Sequence, residues 1–334
     1  MWQEGKELQV DFAKLERAFN PKTIAVVGDS KRTDFEWLRA LRTYKGKVFS
    51  VQVNPETIRE IEALGVPNYT SLVDIPEPID LIIVSVQRAV AMQVLEDCIR
   101  KEVGAVHFYT SGFSETGSED GRKFERAFID KAKAANLHVV GPNCRGIFVP
   151  GMGIKQYPIQ YSEVSGELGF ISQSGNHALL FSQESYLQGL LINKSVSFGN
   201  GIVLDSADYM EFFGNDPEIK AIGMYLEGVK DGRRFLRVLK EVSTKKPVVI
   251  WKGGRTEEGG RAIASHTGSL AVSQAIWEAA MKQCCVVGVT SMEELIDTLK
   301  ALLYLPPFPV TAWLSLEGQA GNLWPLPMSL PNQD

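Results

Sequence analysis

The chain has 334 residues, more than one ordinary domain and enough for two α/β domains of about 150 residues each. A hydrophobic fraction of 44% with 22% charged residues excludes wholesale disorder, and a formal net charge of −5 argues against a nucleic-acid partner. No apolar run reaches the roughly 18 residues of a membrane span, and the N-terminal MWQEGKELQVDFAKLE has no signal-peptide core, so a cytoplasmic protein with no membrane partner is expected.

Five short apolar runs open the chain: TIAVVG from Thr23, KVFSVQV from Lys47, LIIVSV from Leu81, AVHFYTS from Ala105 and LHVVG from Leu137. Near-continuous runs of this kind suit strands buried on both faces of a parallel sheet. Charged amphipathic stretches between them, such as VAMQVLEDCIRKEV and DGRKFERAFIDKAKAAN, suit crossover helices. GIFVPGMGIKQYPIQYSEVSG then has the glycine and proline content of a linker. The alternation resumes with GELGFISQS, KSVSFGN, AIGMYLEG, PVVIWKGG and VVGV as strands. HALLFSQESYLQGL, DSADYMEFFG, GRRFLRVLKEVS and SMEELIDTLKALLYL fall between and after them as helices. Two tandem doubly wound α/β domains follow, at 1–150 and 151–304. The remaining 305–334 is proline-rich and aperiodic, and an irregular appendage is expected there.

In open α/β sheets ligands collect beyond the carboxyl ends of the strands. In the second half those positions hold Ser172-Gln173-Ser174-Gly175-Asn176, Gly199-Asn200-Gly201, Glu227-Gly228 and Lys252-Gly253-Gly254-Arg255, followed by a glycine-rich stretch carrying His266. Hydroxyls, glycines, a carboxylate and an imidazole at one edge suit an anion such as phosphate. Ser174 and Gly175 precede a helix whose free amides would bind that anion, or Ser174 merely caps the helix. Glu227 either orients an imidazole across the site or is a solvated strand end. His107 and His138 lie in strand-like runs and suit the core, and His177 is open between anion binding and packing. His266 sits in a polar loop that gives packing no use for an imidazole, so a chemical role competes with a bland one. The four cysteines show no metal-ligand spacing, and no metal is expected. After the first strand AVVGDS holds a single glycine, so the dinucleotide fingerprint is absent and a dehydrogenase is disfavoured.

IAVVGDS, VNP, DIPEPIDLIIVSV, TSGFSETG, GPNCRG, FISQSGN, VSFGN, YLEGVKDGRRFL and KKPVVIWKGGRTEEGGRAIASHTGSLA, in that order, resemble the nucleoside-diphosphate-forming acyl-CoA synthetases. That family includes ADP-forming acetyl-CoA synthetase and the α subunit of succinyl-CoA ligase. The resemblance runs from about Phe19 to Leu305. It implies a Rossmann-like CoA-binding domain followed by a flavodoxin-like ligase domain. It implies a CoA site lined by Gly28, Ser30, Asn54, Pro55, Ser85, Ser111, Gly112 and Asn143. His266 matches the phosphorylated histidine and Glu227 its carboxylate partner, with Ser174, Gly175 and Asn176 at the phosphate-binding helix start. The implied reaction, acyl-CoA + phosphate + NDP = acid + CoA + NTP, passes through an acyl phosphate and a phosphohistidine. Mg-nucleotide would bind only through an ATP-grasp partner, and a homodimer is a further expectation.

Three departures from the family pattern stand out. Asp29 occupies a position that is usually alanine, where a carboxylate would oppose a pyrophosphate and Lys31 and Arg32 would offset it. Val272 replaces a glycine, and neither an ATP-grasp domain nor a third α/β domain is present in these residues. A non-catalytic CoA-binding or regulatory protein that keeps the fold is the alternative they leave.

Overall fold

Six strands form the first sheet in the computed structural model, which describes residues 10–254 and 274–305. They are β1 (Thr23–Val27), β2 (Lys47–Val51), β3 (Asn68–Tyr69), β4 (Leu81–Val84), β5 (Ala105–Phe108) and β6 (His138–Val140). Every pairing is parallel, in the order β3-β2-β1-β4-β5-β6, and β1 and β4 are buried from end to end. Strand order reverses between β1 and β4, which opens a crevice at their carboxyl ends. The connecting helices are α1 (Phe12–Phe19), α2 (Glu36–Ala40), α3 (Pro55–Ala63), α4 (Arg88–Arg100) and α5 (Glu119–Ala134).

The second sheet has the order β12-β11-β10-β8-β9-β7. Its strands are β7 (Gly146–Phe148), β8 (Leu168–Ser172), β9 (Ile192–Ser197), β10 (Ala221–Leu226), β11 (Val248–Lys252) and β12 (Val287–Val289). Its helices are α6 (Gly175–Leu187), α7 (Ser206–Asn215), α8 (Gly232–Ser243), α9 (Gln274–Gln283) and α10 (Met292–Tyr304). In α8 the residues Phe235, Val238, Leu239 and Val242 recur at helical spacing and are buried, while Asp231 caps the first turn.

The stretch expected as a linker is part of this packing. β7 lies within it and pairs antiparallel with β9 at the sheet edge. Beyond β7, Ile154, Gln156 and Gln160 are buried. The Gln156 amide donates to the Gly146 carbonyl, and the Gln160 carbonyl accepts from the backbone amides of Gln156 and Tyr157. These side chains satisfy backbone groups that would otherwise be buried unpaired, which hydropathy alone does not register. The tail beyond Leu305 lies outside the described residues.

A single apolar cluster joins the two sheets, running from Leu15, Phe19 and Trp37 to Phe213, Met224 and Trp277. At its seam Phe19 of α1 meets Phe212 and Phe213 of α7, with ring centroids 5.3 and 5.5 Å apart. Close backbone contact completes the seam. Gly199 has φ +51°, and a Cβ there would stand 2.3 Å from the Asn143 carbonyl oxygen and 2.4 Å from that of Pro142. The amides of Asn200 and Ile202 donate to the carbonyls of Pro142 and Gly141 at 3.1 Å each.

His107 and His138 are core residues, as their strand contexts predict. The His107 ring nitrogen Nε2 pairs with the Cys144 carbonyl at 2.9 Å, and His138 Nε2 accepts the Asp11 amide at 3.2 Å. Burial pulls both imidazoles from the ordinary 6.5 down to about 4. The unfolded chain therefore takes up protons below pH ~6.5 that the folded chain refuses until about 4. The stability these groups contribute is complete above pH ~6.5 and is lost as pH falls through the folded value. Denaturant titrations should find the stability gap between wild type and His138→Gln narrowing by ~1.4 kcal/mol per pH unit across that window. A gap independent of pH would mean that His138 is not buried neutral.

Candidate functional site

The first loop begins at Gly28, whose φ is +85°. A Cβ there would lie 2.4 Å from Val86 Cγ1 and 2.8 Å from the Ser85 carbonyl oxygen, so only glycine lets this turn touch the end of β4. Asp29 then turns inward. It is fully buried, accepting from the amides of Ser30 and Leu38 at 3.1 and 2.9 Å and from Thr33 Oγ1 at 3.1 Å. Burial raises its carboxyl above the ordinary carboxylate value, while these hydrogen bonds pull it the other way. The expectation that Asp29 opposes an incoming anion is therefore corrected: its charge serves the start of α2. Lys31, expected to offset it, instead pairs with Glu60 at 2.8 Å on the surface.

Asn54 and Pro55 form the start of α3, where the Asn54 side chain accepts the amides of Glu56 and Thr57. Gln52 ties this turn to the first loop. Its Nε2 donates to the Asp29 carbonyl at 3.1 Å, and its Oε1 accepts the amides of Val53 and Asn54. Ser111 is exposed and Gly112 has φ +102°. The Gly112 peptide is held on both sides: Glu115 accepts its amide at 2.6 Å and Arg88 donates to its carbonyl at 2.9 Å. Asn143, at φ +57°, donates its amide to the Thr110 carbonyl at 3.0 Å. Gly28 and Ser85, Asn54 and Pro55, and Ser111, Gly112 and Asn143 thus line the carboxyl edge of the first sheet.

Across the cleft, Ser172 is buried and its hydroxyl both accepts the Ser174 amide and donates to the Ser174 carbonyl. Ser174 caps α6, its hydroxyl accepting the His177 amide at 3.3 Å. Among the described residues no group takes the amides of Gly175 and Asn176. Two donors and the positive end of the α6 dipole therefore face outward. Gln173, which the sequence places at this strand end without assigning it a role, joins this helix start to the Glu227 turn. Its Oε1 accepts the amides of Glu227 and Gly228 at 2.9 and 3.0 Å. Lys252 closes the same edge by donating to the carbonyls of Glu227 and Gly253 at 2.7 and 2.5 Å. Burial lowers its ammonium pKa, and the Glu227 charge offsets part of that.

His177 packs rather than faces the anion position, stacked on Tyr225 at 4.1 Å and edge-on to Trp251. Arg145, in GPNCRG, was also missed. It packs against Gly175 across the domain seam, lies over the rings of Tyr109 and Tyr157, and pairs with Glu36 of α2. His266 and Val272 lie outside the described residues. Among those described, no group of three or more His, Cys, Asp or Glu side chains could hold a metal ion, and no helix is long and apolar enough to cross a membrane.

Comparison with known proteins identifies both domains. Residues 22–150 match the CoA binding domain family and residues 165–302 the succinyl-CoA ligase like flavodoxin domain. The chain is 38% identical over 311 residues to the α subunit of acetate–CoA ligase [ADP-forming] II of Pyrococcus furiosus, covering 92% of this chain and 66% of that protein. It is 38% identical over 292 residues to acetate–CoA ligase [ADP-forming] I of Archaeoglobus fulgidus, covering 86% of this chain and 42% of that one. A solved acetyl-coenzyme A synthetase 1 from Ca. Korarchaeum cryptofilum, in complex with phosphate and ADP, superposes with a TM-score of 0.79 at 35% identity. That match covers 87% of this chain and 63% of the other. The chain thus spans between about two fifths and two thirds of the length of these relatives.

The inward turn of Asp29 has a measurable consequence. Asp29→Ala strands two amides and a hydroxyl, and should lower the free energy of unfolding by about 1–3 kcal/mol in denaturant titration. A variant as stable as wild type would mean that the carboxylate is not engaged as described.

Proposed function

The chain belongs to the nucleoside-diphosphate-forming acyl-CoA synthetases, and from that premise we propose that it carries the CoA and phosphohistidine half-sites of an α-type subunit. Residues 1–150 hold CoA through Gly28, Ser30, Asn54, Pro55, Ser85, Ser111, Gly112 and Asn143. Residues 151–304 carry the ligase site, with His266 as the phosphoryl acceptor and Glu227 orienting it. Ser174, Gly175 and Asn176 at the start of α6 hold the phosphate.

The observation that supports this reading is the Gln173 link. One side chain fastens the Glu227 turn directly beside the start of α6, where the amides of Gly175 and Asn176 face outward. An anion and a proton-handling carboxylate are thereby given neighbouring positions. In the proposed reaction a phosphate oxygen attacks the thioester carbonyl, the C–S bond breaks and CoA leaves as the thiolate, which then takes a proton. An imidazole nitrogen of His266 next attacks phosphorus, the P–O bond to the acyl group breaks, and the carboxylate departs. Glu227 holds the imidazole in the productive tautomer and stabilises its charge. The phosphoryl group passes to NDP on an ATP-grasp partner subunit that binds the Mg-nucleotide. The α-type chain pairs with a second copy of itself in the same assembly.

Incubation with acyl-CoA and labelled phosphate should give an acid-labile, base-stable protein label. His266→Ala should abolish it, and Glu227→Gln should slow labelling about a hundredfold. Absence of label with several short and branched acyl-CoAs, even with an ATP-grasp partner present, would leave a non-catalytic CoA-binding protein.

A further inference from the structure

Two loops that approach each other from opposite domains are bridged by one carboxylate. Glu115 Oε1 accepts the Gly112 amide at 2.6 Å, and Glu115 Oε2 accepts Asn200 Nδ2 at 2.7 Å. The bridge spans 85 residues of sequence. Each end is anchored independently. Asn200 is 4% exposed, and its backbone is fixed on the Pro142 carbonyl beside Gly199, which has no room for a side chain. At the other end Arg88 holds the Gly112 carbonyl, so both faces of that peptide are committed. Ser114, one residue before the bridge, is fastened to Glu125 of α5 through both its amide and its hydroxyl.

We propose that Glu115 is a positioning residue that transmits the placement of the second domain's Gly199-Asn200-Gly201 loop to the Ser111-Gly112 turn, and so sets the affinity of the first domain for CoA. The proposal rests on the CoA reading given above. The Asn200 loop is seated on the backbone of Pro142 and Gly141, and the Gly112 peptide is held by Arg88; the carboxylate is the side-chain link that couples these two seats. A shift of Asn200 pulls directly on the peptide that CoA would meet, because a charged hydrogen bond of this length is strongly directional.

The chemistry of the pair supplies a reciprocal test. Asn200→Asp sets one carboxylate against another and should weaken CoA binding by about tenfold or more in calorimetry on the full chain. Glu115→Gln alone should stay within about threefold of wild type, because a half-turn of the Asn200 amide restores the pairing. Glu115→Gln placed on Asn200→Asp offers an amide donor to the new carboxylate while its carbonyl still accepts from Gly112, and should restore affinity to within about threefold of wild type. Unfolding midpoints are recorded alongside. Asn200→Asp with wild-type CoA affinity overturns the proposal, as does a double variant that regains its midpoint without regaining affinity. Should Asn200→Asp not fold, Glu115→Ala removes the bridge without adding charge, and wild-type affinity in that variant overturns the proposal equally. A wild-type chain that binds no CoA overturns the CoA reading and this proposal together, whereas binding that is equal in every variant overturns this proposal alone.

Discussion

At position 199 two turns of backbone meet with no space for a methyl group between them. The carbonyl oxygens of Pro142 and Asn143 stand where a Cβ would be, and the next amides of the same turn donate back to Pro142 and Gly141. This contact sets the distance between the carboxyl ends of the two sheets, and the side-chain bridges of the cleft lie on either side of it. Arg145 leaves the same turn to reach Glu36 in α2, and Asn200 reaches Glu115. Because the seam is built from close backbone contact and backbone hydrogen bonds, small changes there displace whole loops rather than single side chains. Protein interiors pack too densely to absorb them locally.

Two buried charge groups in the second domain are matched by opposite charges. Lys194, almost fully buried, lies 2.7 Å from Asp216 and 3.1 Å from Glu218. Asp208 completes the capping box of α7 and pairs with Arg234 of α8, which also approaches Asp205. The Asp205, Asp208 and Arg234 group fastens the end of the 199–205 loop to α8, while Lys194 with Asp216 and Glu218 secures the far end of α7. Breaking one partner would leave an uncompensated charge in the interior, which costs far more than a lost surface pair.

Strands such as β1 and β4 and helices such as α8 were legible in the sequence because they present an unbroken apolar run or a clear 3.6-residue stripe, whereas Gln274–Gln283 was not anticipated as a helix. GRRFLRVLKEVS coincides with α8, residue for residue. What was not legible is structure that depends on which polar groups satisfy which. β7 and the segment after it look like a linker because their glycines and prolines dominate, yet Gln156 and Gln160 supply the bonds that let it be buried. α1 is short, and β3 is only two residues. Within the candidate site, positions after strands were visible, since topology alone places them. The direction of Asp29 was not, because an acid in a loop reads the same whether it faces solvent or three internal donors. Gln173, Gln52, Glu115 and Arg145 stand inside or beside motifs that can be recognised, but their partners are far away in sequence and carry no local period.

The inward commitment of the cleft's acids changes what the net charge of −5 means for a visiting polyanion. Asp29 is turned onto the start of α2, Glu36 is spent on Arg145, and Glu115 on two amide groups. Each of these carboxylates has its field largely cancelled by donors within a hydrogen bond's length. A phosphate arriving at the start of α6 meets outward backbone dipoles instead, and dipoles fixed by a helix need no reorganisation to receive it. A protein can therefore be acidic as a whole while offering an anion a locally receptive doorway.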